Sequence, residues 1–204
     1  MLAGISHALR TPLTRMNLQI ALLGDKNASK NLGDDVSEMK EMIDNYLAFA
    51  RGEKEEKIKN INIYKLIKTL CEKDIIYDSK TIKNKVTKDV YINVKPLAMK
   101  RALLNIISNA ISYSKNIVEI MSIKNDNFLN IFIEDDGKGI PKNKREKVFK
   151  AFYRIDESRQ SASANTGLGL TIAKDIIQGH GGKIVLNASN LGGLKVEIIL
   201  PIKT

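Results

Sequence analysis

The sequence predicts an α+β protein in two parts: a helical hairpin over residues 1–52, then an α/β sandwich over residues 61–204. Three observations predict it. Leu9, Leu13, Met16, Ile20 and Leu23 recur at alternating spacings of four and three, as do Val36, Met39, Ile43, Tyr46 and Ala50; such spacing is the seam of packed helices. From Ile61 onward the pattern changes to short alternating runs that suit strands, separated by longer amphipathic stretches. Between the two parts, Arg51–Asn60 is charged with Gly52 at its head and reads as a linker or a frayed helix end.

Taken in order, Gly24-Asp25-Lys26-Asn27 separates the two seams with turn formers. One hairpin cannot bury both sides of its stripe, so a self-associating four-helix bundle, hence a homodimer, is expected. Pro12 should kink the first helix and free a carbonyl near Ala8. In the second part, Ile61–Glu72, Pro96–Tyr113 and Thr171–Gln178 read as helices, with Pro96 at a first-turn position. Val90–Val94, Ile117–Lys124, Phe128–Glu134, Lys183–Ala188 and Gly193–Leu200 read as strands. Asn125-Asp126-Asn127 joins the second and third strands, and Ser189–Gly192 joins the last two.

Composition narrows the function classes. With 43% apolar side chains over 204 residues, the chain can bury a core and is neither a disordered tail nor a fibre. No run approaches the roughly 20 apolar residues that span a bilayer, and Met1–Arg10 lacks a leader pattern, so the chain as given is expected to be soluble and cytoplasmic. A single cysteine, Cys71, and two histidines leave no material for disulfides, cysteine clusters or a multi-histidine metal site. The net charge of +10 favours anionic partners. Lysine is interleaved through Lys59–Lys73 and Lys80–Lys95 as on a solvated surface, and aromatics are only 5%, a poor supply for base stacking. Charge alone does not choose among these partners, but no groove-reading motif accompanies it, so nucleic acid is not the expected partner.

Four constellations can carry chemistry. Asp135-Asp136-Gly137-Lys138-Gly139-Ile140 follows a strand; its glycines allow close approach, and a carboxylate there can accept from the exocyclic amine of adenine. Thr166-Gly167-Leu168-Gly169-Leu170 opens a helix, where backbone N–H groups can cradle an anion, although it is neither a Walker loop nor a dinucleotide fingerprint. Arg101, Asn105, Asn109 and Tyr113 form a polar stripe on one helix, beside an apolar face of Leu103, Leu104, Ile107 and Ile111. Two stacked asparagines lower helix propensity, and their carbonyl oxygens suit a hydrated Mg²⁺ that draws its other ligands from a triphosphate. Lastly, Ser6-His7-Ala8-Leu9-Arg10-Thr11-Pro12 places a histidine outside the hairpin seam, where packing gives it little to do. Each of the first three, alone, is also consistent with a plain turn or a solvated helix face.

In this order and spacing the segments resemble the catalytic half of bacterial two-component sensor histidine kinases. Ser6–Pro12 is similar to the phosphoacceptor box, Asn105–Ser114 to the Asn box and Asp135–Ile140 to the first Gly box. Val148–Arg154 is similar to the Phe box and Asn165–Leu170 to the second Gly box. The strings GISHALRTPLTR, KPLAMKRALLN and DDGKGI resemble the osmosensing EnvZ subtype. The resemblance implies a dimerisation and phosphotransfer hairpin followed by a Bergerat-type ATP-binding sandwich. His7 would be phosphorylated, and Asn109 with Asn105 would bind Mg²⁺. Asp135 would read adenine; Gly137, Gly139, Gly167, Leu168 and Gly169 would shape the nucleotide pocket. Tyr113 would lie along the nucleotide, Phe149 and Phe152 would seat a lid, and Arg154 would reach the terminal phosphate. Thr11 would position the water that dephosphorylates the partner, a response regulator receiver domain. The parent family is associated with the inner membrane.

The chain departs from the family pattern at four places. Ala8 replaces the usual acidic residue after the phosphoacceptor, Ser112 a frequent Lys or Arg, and Asn165 a frequent Gly. Only six residues precede His7, so the family's relay and membrane helices are expected outside this chain. Three readings follow beside a histidine kinase: a kinase-weak, phosphatase-biased remnant that binds ATP, an ATPase of the chaperone and topoisomerase group, and a basic nucleic-acid module.

Overall fold

The computed structural model describes residues 12–16, 18–22, 28–30, 32–33, 36–37, 39–40, 56–73, 80–155 and 167–202. The chain divides into two compact units, Met1–Glu55 and Glu56–Thr204. In the first, the described residues between 12 and 21 and between 28 and 40 are helical. Leu13 and Val36 are buried, whereas Met16 and Met39, on the same seams, are exposed. The Ser29 hydroxyl donates to the Ile20 carbonyl at 3.0 Å. The turn at 24–27, and the seam positions Leu9, Leu23, Ile43, Tyr46 and Ala50, lie outside the described residues, as does Ala8, where the Pro12 kink would act.

The second unit runs β1 (Lys59–Asn62), α1 (Ile63–Lys73), β2 (Thr81–Lys85), β3 (Tyr91–Val94), α2 (Pro96–Tyr113), β4 (Ile117–Lys124), β5 (Phe128–Asp135), α3 (Gly169–Gly179), β6 (Lys183–Ala188) and β7 (Leu194–Pro201), with short 3₁₀ turns at Lys142–Lys144 and Lys147–Phe149. A five-stranded sheet has the order β2-β4-β5-β7-β6; β2 pairs parallel with β4 and every other pair is antiparallel. β1 and β3 form a separate antiparallel ribbon. Alternation along β5 sends Leu129, Ile131 and Ile133 into the core, where α2 and α3 pack side by side against the sheet. Among the described residues no helix is long and apolar enough to cross a membrane.

Several expectations need correction. Ile61 and Asn62 are strand, paired with Ile92 and Tyr91, so the first helix starts two residues later than its periodicity suggests. Asn62 is its cap: its side-chain oxygen accepts from the Lys65 N–H at 2.9 Å, satisfying an orphan donor of the first turn. Lys59 and Asn60, read as linker, belong to the same strand. Thr81–Lys85, read as solvated Lys-rich surface, is an edge strand; its lysines suit an edge by discouraging further pairing. On α2, Leu104 is exposed rather than part of the apolar face, which is instead Ala98, Met99, Ala102, Leu103, Ile106, Ile107, Ala110 and Ile111. Helix α3 begins at Gly169, two residues ahead of the expected start.

Both ends of α2 are held by side chains distant in sequence. Lys95, at the N-cap, offers no side-chain cap. Instead the Glu56 carboxylate accepts from Leu97 N–H at 2.5 Å and Ala98 N–H at 3.0 Å. His180 Nε2 accepts from Lys95 N–H at 3.0 Å while its Nδ1 lies 2.7 Å from the Ile176 carbonyl, which fixes the Nδ1–H tautomer. At the other end the Lys80 ammonium donates to the Ile111 and Ser114 carbonyls at 2.6 and 3.0 Å. The charges, negative at the N-terminus and positive at the C-terminus, match the helix dipole. The polar stripe is thereby fixed in place at both ends.

Candidate functional site

Three consecutive carboxylates end β5, and each faces different partners. Asp135 follows the Leu129–Ile133 alternation and points to the helix side, almost fully buried. Its Oδ1 accepts from Gly137 N–H at 2.8 Å and from Leu194 N–H at 3.2 Å. Its backbone carbonyl accepts from Gly193 N–H at 3.1 Å. Among the described residues no protein donor meets Oδ2, so this oxygen is left to accept from a ligand. Burial pushes the Asp135 carboxyl above the usual range; the Gly137 and Leu194 N–H groups oppose this, and the neighbouring Asp136 charge adds to it.

Asp136 serves the turn after α2. Its Oδ1 accepts from the N–H groups of Lys115, Asn116 and Ile117 at 2.8, 3.1 and 3.2 Å. Those bonds outweigh desolvation and hold its carboxyl below the usual value. Glu134 points to the other side of the sheet. Its carboxylate accepts from the Ser189 hydroxyl at 2.9 Å and Asn190 N–H at 3.1 Å, and pairs with Lys195 at 3.2 Å. Burial raises this carboxyl, but the Ser189, Lys195 and Asn190 bonds together with the Lys195 charge bring it below its ordinary value.

Glycines close the floor. A Cβ on Gly137 would overlap the Tyr113 carbonyl, and one on Gly193 would overlap Asp135 Oδ1. Gly139 has φ +65° and faces the Gly193 carbonyl. Gly193 is a site residue that the sequence does not reveal: it reads only as the start of a strand, with no motif to mark its approach to Asp135.

The opposite side is formed by α2 and the start of α3. Asn105 and Asn109 are half-buried. A Cβ on Gly169 would lie 3.6 Å from Asn105 Cβ and 3.7 Å from Asn109 Nδ2, so the Asn stripe and the second Gly segment meet. Tyr113 is largely exposed at the end of the stripe. Leu168 is buried, its carbonyl accepting from Ile172 N–H at 2.9 Å, so any role toward a ligand falls to its backbone. The α3 start has no side-chain cap. Two amide oxygens one turn apart, beside uncapped N–H groups, are a donor set that fits a hard cation carried on phosphates.

Phe149 to Arg154 and Gly167 to Thr171 are stitched together. Phe152 N–H donates to the Gly167 carbonyl at 3.1 Å, and the Thr171 hydroxyl to the Phe149 carbonyl at 2.9 Å. The Lys174 ammonium sits 5.0 Å from the Phe149 ring centroid, within cation–π range. Thr171 and Lys174 carried no sequence signal beyond lying on the helix. Phe152 is exposed with φ +65°, and Arg154 is exposed beside it. His7, Thr11, Ala8 and Asn165 lie outside the described residues.

Comparison with known proteins gives the family and the fold. Residues 94–204 match the family described as histidine kinase-, DNA gyrase B-, and HSP90-like ATPase, and residues 1–55 match the His Kinase A (phospho-acceptor) domain. The chain is 33% identical over 216 residues to the sensor histidine kinase CpxA of Escherichia coli strain K12, covering 99% of this chain and 46% of that protein. It is 32% identical to the sensor protein kinase WalK of Staphylococcus aureus, covering 98% of this chain and 52% of that protein. The chain thus spans about half the length of the curated relatives it matches. Among solved structures, the mycobacterial sensor histidine kinase MprB is 25% identical with a TM-score of 0.62, covering 71% of this chain and 97% of that one. Full-length ShkA in complex with AMPPNP shares the fold over 100% of this chain and 46% of its own, at 21% identity and a TM-score of 0.75.

Proposed function

Because the chain belongs to the histidine kinase-, DNA gyrase B- and HSP90-like ATPase family and begins with a phospho-acceptor segment, we propose that it is the catalytic portion of a two-component sensor histidine kinase. In this reading it binds ATP with Mg²⁺, phosphorylates His7, and passes the phosphoryl group to an aspartate of a response regulator receiver domain. Residues 1–52 form the dimerisation and phosphotransfer hairpin and residues 61–204 the ATP-binding domain. Membrane attachment, through segments outside this chain, belongs to the same reading. The names of the relatives favour an active kinase over a phosphatase-biased remnant. The osmosensing subtype rests on three short strings alone, and the relatives found carry other names.

The observation that carries it is Asp135: a buried carboxylate with one oxygen saturated by two backbone donors and the other left for a ligand's amine. Adenine presents such a donor; guanine presents a carbonyl at the same position. Asn105 and Asn109 would hold Mg²⁺, which supplies charge neutralisation on the phosphates. The backbone at Gly167, Leu168 and Gly169 would receive phosphate oxygens, and Arg154 the terminal phosphate. Gly137 and Gly139 shape the floor, Tyr113 flanks it, and Phe149 and Phe152 seat the lid. Neutral imidazole is a competent nucleophile near pH 7, and Thr11 would orient water for regulator dephosphorylation.

Labelled ATP tests the proposal. Acid-labile phosphate should accumulate on the chain with Mg²⁺ present and be absent in His7→Ala. Label that survives acid, or that persists in His7→Ala, sinks the assignment. The half-exposed hairpin seam supports a homodimer, which sedimentation at rising concentration would reveal.

A further inference from the structure

The hairpin that supports Asp135 is itself held from the opposite face of the sheet. Strand alternation places Glu134 on that face, with its side chain only 5% exposed. A buried carboxylate persists there because three donors meet it, and all three lie on one feature, the β6–β7 turn and its exit: the Ser189 hydroxyl, the Asn190 N–H and the Lys195 ammonium. The Ser189 hydroxyl also accepts from Leu191 N–H at 3.0 Å, and Gly192 and Ser189 close the turn through backbone bonds. The same turn then sends Gly193 N–H to the Asp135 carbonyl and Leu194 N–H to Asp135 Oδ1. One donor to Asp135 therefore comes from its own loop, at Gly137, and the other comes from a hairpin whose shape Glu134 sets.

We propose that Glu134 is a positioning residue for purine selection, acting through the β6–β7 turn to hold the Asp135 carboxylate in the orientation that accepts a 6-amino group. The proposal rests on the ATP-binding reading above and deepens it. With both donors in place, Oδ1 is occupied and Oδ2 is presented as an acceptor. When the turn slackens, the Leu194 donor is lost and the carboxyl is free to rotate. A carboxyl that turns freely no longer presents one fixed acceptor, so the advantage of a 6-amino group over a 6-carbonyl shrinks. Selection falls before binding does. A residue that merely stapled the hairpin would change melting temperature without changing which purine is preferred.

The test uses the whole chain with Mg²⁺, measuring ATP and GTP affinity by calorimetry alongside thermal melting. Glu134→Leu should lower the ATP-to-GTP affinity ratio about tenfold, the value of a lost hydrogen bond to a charged group. Ser189→Ala, a milder change that leaves Glu134 in place, should lower it by roughly threefold. Glu134→Gln, which keeps the size and one acceptor oxygen, should restore most of the ratio. If melting falls in Glu134→Leu and Ser189→Ala while the ratio stays at the wild-type value, the inference is overturned and Glu134 is a staple only. Should Glu134→Leu fail to fold, Ser189→Ala decides the question by the same ratio. A wild-type chain with no ATP binding overturns the nucleotide reading itself, a result distinguishable from selective wild-type binding that ignores Glu134.

Discussion

The two glycine segments that border the site need glycine for different reasons. On the floor, Gly137 and Gly193 are required by the protein: a methyl group on either meets the Tyr113 carbonyl or the Asp135 carboxylate, and neither can move without breaking the floor. On the facing side, Gly167 is required by its backbone, with φ +69° and Phe152 close behind it. Gly169 is required by nothing in the protein, since an added Cβ finds only ordinary contacts with Asn105 and Asn109. The floor glycines thus answer to bonds within the protein, with the Gly137 and Leu194 N–H groups matched to Asp135 Oδ1 and the Gly193 N–H to the Asp135 carbonyl. The α3 side is left open, and its last glycine answers to whatever binds there.

Breaking the floor should give the largest effect. Gly137→Ala must displace either the end of α2 or the turn bearing Asp136, and overpacking of this kind costs about 1–3 kcal/mol. Urea unfolding of the variant should show a lower midpoint, and ATP affinity should fall with it. An unchanged midpoint would mean that the floor tolerates a shift and is less fixed than its bonds suggest.

Asp135→Asn should separate stability from binding. Asparagine keeps an acceptor for the Gly137 and Leu194 donors but turns a donor toward the ligand's amine, weakening ATP by about 1–3 kcal/mol. Burial holds the Asp135 carboxyl above its ordinary value, so its contribution to stability is fully present below the unfolded value of about 3.9 and is lost as pH rises through the folded value. At pH 7 the ionised group is therefore a cost, and the asparagine variant should melt no lower than wild type, and higher where the amide is well placed. Wild-type ATP affinity should decline as pH falls through that raised value. Asp136 has the opposite sign: its carboxyl is held low by the Asn116, Ile117 and Lys115 N–H groups against desolvation. Its stabilisation is present above the unfolded value and is lost as pH falls through its lower folded value. A melting-temperature profile of Asp136→Asn that parallels wild type from pH 7 to below 4 would contradict this.

What could be read in advance followed local pattern. Pro96 and the apolar period marked α2 from end to end, and the Asp135–Ile140 and Thr166–Leu170 strings marked the loops because glycine and carboxylate chemistry is local in sequence. What could not be read is held by tertiary bonds. Glu56 and His180 reach the α2 N-terminus from 41 and 85 residues away, and a capping partner at that distance leaves no spacing rule. Strand β2 carries no strand signal because a Lys-rich edge strand without a buried face reads as surface. Glu134 and Gly193 could not be read because no motif marks either: what Glu134 meets, and how closely Gly193 approaches Asp135, depend on the β6–β7 turn being brought beside the end of β5.

Gly169→Ala should have the smallest effect on the fold and is the sharpest test of the facing side. The new methyl sits at the first residue of α3, at ordinary van der Waals distance from Asn105 and Asn109. Alanine is also the better helix residue, by up to about 1 kcal/mol within a helix and less at its first position. Stability should therefore be unchanged or slightly raised. Ligand binding should respond differently if phosphate oxygens approach the uncapped N–H groups beside the Asn stripe, because the methyl occupies the line of approach and displaces a close backbone contact. A loss of about tenfold in ATP affinity corresponds to one such hydrogen bond to a charged group, and adenosine, which lacks phosphates, should bind both proteins alike. Equal ATP affinity in the variant and the wild type would place the phosphates elsewhere and return Gly169 to being a tolerated glycine at a helix start. An equal loss for ATP and adenosine would show that the change acts through the floor, and the contrast between the two sides would fail.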